Sequence, residues 1–280
     1  MMSASRTLRK AVDIEGFGVH SGKPVRLRMR PSGEGKIVFR RTDLGGAELI
    51  PAPELAETPS STVLQGGHFR IGTVEHLLAS LWAAGVGSCL IELDAEEVPV
   101  LDGSALPFVR ALETAGTEEL AMPRTARRIA EGFTVSDGDA WVKFEPSAGD
   151  GPESLTLSYT IVYDHPKIGR QSREVDLTWP EFAREIAPAR TFGFLKDVER
   201  LRRLGLALGS SYGNTVVLSE ADVVNPPLRF PDEFVRHKLL DLAGDLALLG
   251  RPLIGRVSAH KAGHRLHLEA LRRLIRWGTH

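Results

Sequence analysis

The sequence predicts an α+β protein built from two similar halves, and three observations predict it. The first is Val25-Arg26-Leu27-Arg28-Met29-Arg30, a strict apolar/basic alternation that fits a strand with one face buried and the other in water. The second is a repeated order of elements. Glu75-His76-Leu77-Leu78 runs on to Gly85 and then a strand, and Arg236-His237-Lys238-Leu239-Leu240 runs on to Gly250 and then a strand. Each half reads as strands, helix, strand, helix, the mark of an old duplication. The third is a mix of hairpins with a few helices and no GxGxxG or Walker A pattern, which speaks against a Rossmann-like parallel sheet or a P-loop enzyme.

The elements follow in order. Strands occupy residues 5–50: the alternating run ends at Pro31, and Lys36-Ile37-Val38-Phe39 follows a Gly-rich turn. Residues 73–85 form a helix with Thr73 as N-cap and Val74, Leu77, Leu78, Leu81 and Trp82 on one face, ended by Gly85 and Gly87. A strand over 89–93, a turn around Pro99 to Ser104 and a helix over about 105–115 complete a first domain, 1–120. TEELAMPRTARR, residues 117–128, is polar, carries a proline and reads as a linker. In the second domain, 128–280, strands are expected at 129–135, 140–145, 155–163 and 173–178, then helices at 180–186 and 195–204 and a strand at 214–219. Asp232 opens a strong helix, 233–249, closed by Gly250; a strand at 252–259 and a helix at 267–276 end the chain.

At about 150 residues per domain, 280 residues leave room for two domains and a core that needs no disulfide or structural metal. Hydrophobic residues make up 42% and charged residues 25%, which excludes wholesale disorder. Thirty-five Lys+Arg against 36 Asp+Glu leave a net charge of −1, so bulk charge does not favour nucleic acid. The lone cysteine, Cys89 in Ser88-Cys89-Leu90-Ile91, rules out an intramolecular disulfide and a Cys-cluster metal site. The N-terminal MMSASRTLRKAVDIEG has no apolar signal-peptide core, and the stretch Leu77 to Ile91 is too short to span a bilayer. The expectation is a soluble cytoplasmic monomer with no integral membrane segment and no nucleic-acid partner.

Three segments carry chemistry. In Phe234 to Asp245, His237 and Asp241 lie one helical turn apart on one face, with Asp245 a turn further. A His and a carboxylate at that spacing can hold two positions of a zinc ion, and the same spacing also serves a surface hydrogen bond. Glu75-His76 is the second. Adjacent helical residues diverge by about 100°, so both reach one site only from the helix's end. There His76 binds the ion while Glu75 serves as general base, or the pair is a solvated Glu beside a core-edge His. The third is Ala259-His260-Lys261-Ala262-Gly263-His264-Arg265-Leu266-His267, a His-dense stretch after a strand. Three ligands suit a catalytic zinc, which leaves His264 free as a cationic partner for developing charge or as the acid for a leaving amine. His267 and His280 have no such context and are background.

Together and in this order, eight segments resemble the bacterial UDP-3-O-acyl-N-acetylglucosamine deacetylases, the zinc amidases of lipid A synthesis, over about residues 5–276. They are Gly18-Val19-His20-Ser21-Gly22, Phe39-Arg40-Arg41-Thr42-Asp43, Thr73-Val74-Glu75-His76-Leu77, Leu101-Asp102-Gly103-Ser104-Ala105, Asp164-His165-Pro166, Ala189-Arg190-Thr191-Phe192-Gly193-Phe194, Phe234 to Lys238 with Asp241, and Lys261-Ala262-Gly263-His264. The resemblance implies two similar domains, each a mainly antiparallel sheet with two helices, the helices sandwiched between the two outer sheets. It implies His76, His237 and Asp241 as ligands of one zinc ion, with ferrous iron as the alternative. Glu75 becomes the base that activates the attacking water, Thr191 a donor to the oxyanion, His264 the essential cation and Asp245 the carboxylate that orients it.

The substrate so implied is UDP-3-O-(3-hydroxyacyl)-N-acetylglucosamine, losing acetate. The resemblance makes about 194–225 a passage for the acyl chain, with Phe192, Phe194, Leu195, Val198, Leu201, Ala207, Tyr212 and Val217 as apolar faces that also serve as core. Lys238 matches a phosphate-contacting lysine, and Tyr163 stands where the family has Phe near the uracil. Gly209-Ser210-Ser211-Tyr212-Gly213-Asn214 and Asn225-Pro226-Pro227-Leu228 depart from the family pattern at the passage wall. Two other readings share the fold: a zinc amidohydrolase acting on a different acylated amine, and an inactive UDP-sugar-binding protein.

Overall fold

The computed structural model describes residues 2–57, 60–147 and 154–277; His280 lies outside them. The first half opens with β1 (Met2–Leu8), the hairpin β2 (Val12–Phe17) and β3 (Pro24–Pro31), and the hairpin β4 (Ile37–Arg41) and β5 (Ala47–Leu49). Three short strands, β6 (Ala56–Glu57), β7 (Val63–Gln65) and β8 (Arg70–Ile71), precede helix α1 (Glu75–Ala83), strand β9 (Cys89–Leu93) and helix α2 (Leu106–Ala115). After β10 (Thr117–Thr125) and β11 (Arg127–Arg128) come the hairpins β12 (Phe133–Asp137) with β13 (Ala140–Glu145) and β14 (Leu155–Val162) with β15 (Arg170–Asp176). The single turn α3 (Trp179–Glu181), β16 (Phe192–Phe194), α4 (Val198–Arg203) and β17 (Val216–Leu218) follow. The long helix α5 (Glu233–Ala247), β18 (Leu253–His260) and α6 (His264–Arg276) end the described chain.

The two large sheets share one topology, β2-β3-β9-β4-β5 and β12-β13-β18-β14-β15. In each, a late strand inserts between two hairpins, antiparallel to one neighbour and parallel to the other. The parallel pair requires a crossover, and α1 and α5 supply it. The architecture is therefore mixed α+β with mainly antiparallel sheets. On β3, Val25, Leu27 and Met29 face the core at 2% exposure or less. Outward-facing Arg26 and Arg28 pair across to Glu15 and Asp13 on β2, so the alternation read from sequence is the pleat itself.

Helix α5 packs on β14 and β15 and also against α1, while α2 lies on β2 and α6 on β12 and β13. Both α1 and α5 bury almost every residue, as helices between two layers must. The first turn of α1 meets α5 along His237, Asp241 and Gly244 where the two halves join, and that junction carries the site.

Four expectations need correction. Residues 117–128 are not a linker: β10 pairs antiparallel with β1, with Pro123 opposite Ala4 beside a register shift. A strand as exposed as β10 has no apolar alternation to reveal it, and Pro is tolerated at such an irregularity. Thr73 does not cap α1. It has φ 57 and donates its hydroxyl to Glu97 Oε1 at 2.8 Å, and the helix begins one residue after Val74. The helix expected over 180–186 is one α turn that continues as a π-helix, Phe182–Ile186, and that expected over 195–204 opens with a 3-10 turn, Leu195–Asp197. Finally, α6 starts at His264 rather than at 267, which puts His264 and His267 in one turn.

Candidate metal centre and active site

Helix α5 presents His237, Asp241 and Asp245 one turn apart, all buried. His237 Nδ1 lies 3.0 Å from the carbonyl oxygen of Ala189. A carbonyl only accepts, so Nδ1 carries the proton and Nε2 presents its lone pair. That nitrogen stands 3.3 Å from Asp241 Oδ1. Burial pushes His237 down to about 4 despite the attraction of Asp241, which keeps the imidazole neutral, the form that binds metals. His76, in the first turn of α1, brings Nε2 to 3.7 Å from the same Asp241 oxygen, its ring perpendicular to that of His237. The donor atoms of His76, His237 and Asp241 all lie within 4.8 Å of one another. A tetrahedral ion with ligand distances of about 2.0–2.1 Å has donors roughly 3.3 Å apart, so two nitrogens and one carboxylate oxygen in this arrangement fit zinc.

Asp241 is held ionised. Burial alone raises its carboxyl, but Lys238, His237 and His76 outweigh burial and place it well below the usual range. Its second oxygen accepts from Lys238 Nζ at 2.7 Å. Glu75 lies beside this group, its Oε2 accepting the Thr62 amide at 3.1 Å. Its pKa is raised, burial dominating over the nearby histidines, in the direction a base working near neutral pH needs.

Opposite Glu75, His264 points Nε2 to 4.0 Å from both Glu75 Oε1 and Asp241 Oδ2. Its Nδ1 donates to Asp245 Oδ2 at 2.8 Å. Burial lowers the imidazole, yet Asp245 prevails and raises it to about 10, so His264 is a standing cation. The same Asp245 oxygen also accepts from His267 Nδ1 at 2.7 Å, and Oδ1 accepts from Thr62 Oγ1 at 2.5 Å.

These groups open on a cavity of about 240 Å³ lined by Glu75, His76, Thr191, Phe192, Leu201, Ala207, His237, Lys238, Asp241 and His264, with His20 at its rim. Thr191 is fixed by backbone bonds: its N–H donates to Gly103 at 2.8 Å and its carbonyl accepts from Val216 at 2.8 Å. Beside it, Arg190 is clamped by Nε to fully buried Glu233, the first residue of α5, at 2.8 Å. Gly103 is required here, since a Cβ would stand 1.8 Å from the Asn214 carbonyl oxygen.

The passage residues divide. Phe192, Leu201 and Ala207 line the cavity. Val217 is buried, and Val198 and Tyr163 are half-buried outside its lining. The Tyr163 ring packs edge-on against Phe192 and tilted against Phe194. Leu195 and Tyr212 are 47% and 59% exposed and lie outside the cavity's lining. The 3-10 turn carries Leu195 outward, and Tyr212 sits in a turn whose carbonyl is tied down by Asn225 Nδ2. Thr62 and His267 were missed. Thr62 offers no sequence signal, while His267 is three residues from His264, a spacing that would have shown it once the helix start was placed correctly.

The family model described as UDP-3-O-acyl N-acetylglycosamine deacetylase matches residues 5–276. Among curated proteins, the UDP-3-O-acyl-N-acetylglucosamine deacetylase of Acidithiobacillus ferrooxidans is 44% identical over 280 residues, 98% of this chain and 90% of its own length. The proteins of that name from Myxococcus xanthus and Pseudomonas entomophila are each 44% identical, over 96% and 98% of this chain and 86% and 91% of theirs.

Proposed function

The chain belongs to the UDP-3-O-acyl N-acetylglycosamine deacetylase family, and from that premise we propose that it is a zinc-dependent enzyme of lipid A synthesis that hydrolyses the acetamide of UDP-3-O-acyl-N-acetylglucosamine, releasing acetate. It is a deacetylase acting on an amide, a carbon–nitrogen bond outside peptides. The observation that carries the reading is the juxtaposition of a neutral His237, His76 and an ionised Asp241 with Glu75 on one side and cationic His264 on the other.

His76, His237 and Asp241 would hold the ion, with ferrous iron as the alternative occupant. A divalent ion there polarises a carbonyl and makes a nearby water more acidic. Glu75 takes the proton of the attacking water through Oε1, while the Thr62 amide holds Oε2. Charge developing on the amide oxygen is met by the Thr191 hydroxyl and by the positive field of His264. Collapse of the tetrahedral species needs a proton on the sugar nitrogen, and protonated Glu75 and His264 both stand at the site to give it.

Lys238 has one proton on Asp241 and two left for a diphosphate oxygen. Phe192, Leu201 and Ala207 offer apolar wall for the acyl chain, and Tyr163 a ring face for uracil. A monomer acting in the cytoplasm is part of the same reading.

The test is acetate release by purified protein from UDP-3-O-acyl-N-acetylglucosamine, with unacylated UDP-N-acetylglucosamine alongside. Chelator-sensitive release confined to the acylated substrate is the expected result. No release from metal-replete protein overturns the substrate assignment and moves attention to another acylated amine.

A further inference from the structure

Asp245 is a fully buried carboxylate held on both oxygens by different donors. Oδ1 accepts from Thr62 Oγ1 at 2.5 Å, and Oδ2 accepts from His264 Nδ1 at 2.8 Å and His267 Nδ1 at 2.7 Å. We propose that Thr62 and His267 are positioning residues for the deacetylation: together they clamp Asp245 so that His264 presents Nε2 between Glu75 and Asp241. The inference rests on the deacetylase reading and extends it to two residues that touch no reacting atom.

Three features carry it. An Asp carboxylate turns easily about its last torsion, which is broad and two-fold, so a single partner leaves its oxygens free to move. Here rotation would break the Thr62 and His267 bonds at once. Next, Thr62 serves both halves of the site. Its amide donates to Glu75 Oε2 at 3.1 Å, its carbonyl accepts from Val74 N at 3.3 Å ahead of α1, and its hydroxyl reaches Asp245 on α5. The base and the carboxylate behind the cation are thus registered through one residue. Last, His267 is anchored from behind. Its Nε2 lies 3.1 Å from Tyr159 Oη, which donates to Ala262 O at 2.8 Å and so ties the loop entering α6 to β14. A core built only for stability would hold apolar side chains here at no loss, since buried ionic clusters seldom stabilise more than their apolar replacements.

The test uses Thr62→Val, which keeps shape and backbone but loses the hydroxyl, and His267→Leu. Thr62→Ser and His267→Asn restore a donor at the same place, and each change is also made with His264→Ala. Thr62→Val and His267→Leu are expected to lower kcat by about 10-fold or more with KM within about twofold, and the Ser and Asn variants to recover most of the loss. On the His264→Ala background neither Val nor Leu should lower kcat further, because a residue acting through His264 has nothing left to act on. Proton NMR of the metal-loaded protein should show the downfield Nδ1–H resonance of His264 displaced in Thr62→Val. Losses that add on the His264→Ala background overturn the proposal, as does an unmoved resonance. A wild-type chain inert toward the acylated substrate refutes the deacetylase reading alone, and the resonance then decides the clamp by itself.

Discussion

Gly244 on α5 lies so close to Glu75 that a Cβ built on it would stand 2.2 Å from the Glu75 carbonyl oxygen. The missing side chain lets α1 and α5 approach to backbone contact where the base, His76 and Asp241 converge. The close approach of the two helices, and with it the spacing of His76 from Asp241, therefore depends on one residue with no functional group.

Gly244→Ala is expected to force the helices apart. Overpacking of this kind costs about 1–3 kcal/mol, and bound zinc should fall below one per chain. Chemical denaturation and metal analysis of the purified variant check both effects. Full zinc occupancy with unchanged stability would show that the contact relaxes without moving the site.

Glu75→Gln should keep the Thr62 N–H bond and the metal but lower kcat by about 10²-fold or more, since an amide accepts no proton from water. Steady-state kinetics beside metal analysis separate the roles. A variant that loses its zinc would make Glu75 a ligand rather than a base.

Asp241→Ala removes a proposed ligand and leaves half-buried Lys238 without its carboxylate, so zinc affinity and stability should both fall, the latter by about 1–3 kcal/mol. Competition with a chromophoric chelator measures the first and urea unfolding the second. Unchanged zinc affinity would take Asp241 out of the ligand set.

The His264–Asp245 pair should make stability depend on pH. The folded-state pKa of His264 is raised from 6.5 to about 10, chiefly by Asp245 working against burial. Its contribution is thus complete below pH 6.5 and is lost as the pH rises toward 10. Urea unfolding of metal-free protein across that window should show the decline, and His264→Gln should flatten it. An equally steep decline in the variant would assign the effect to other groups. His237 works in the opposite sense: burial lowers it from 6.5 to about 4, so its neutral form costs stability as the pH falls through that interval.

What was legible in the chain was local. Alternation along β3 reveals a half-buried strand because successive side chains point to opposite faces, and the four-residue spacing of His237, Asp241 and Asp245 reveals a shared helix face because α5 turns every 3.6 residues. The β1–β10 ribbon stayed hidden because its pairing is made by backbone groups and the side chains of β10 are mostly in water. The outward turn of Leu195 is likewise a matter of where a 3-10 turn sits against its neighbours.

The sequence by itself determined the α+β class, the repeated order of elements and which residue types stand one turn apart, since periodicity acts over a few residues. Only the tertiary structure decided that the Ala189 carbonyl accepts the hydrogen bond of His237 Nδ1 across 48 residues and that Thr62 reaches Asp245 across 183. Only it decided, too, that His267 shares that carboxylate with His264. The Thr62 contact arises where the two halves close on each other, the others where distant segments of the second half pack together, and no local pattern encodes the distance at which such elements come to rest.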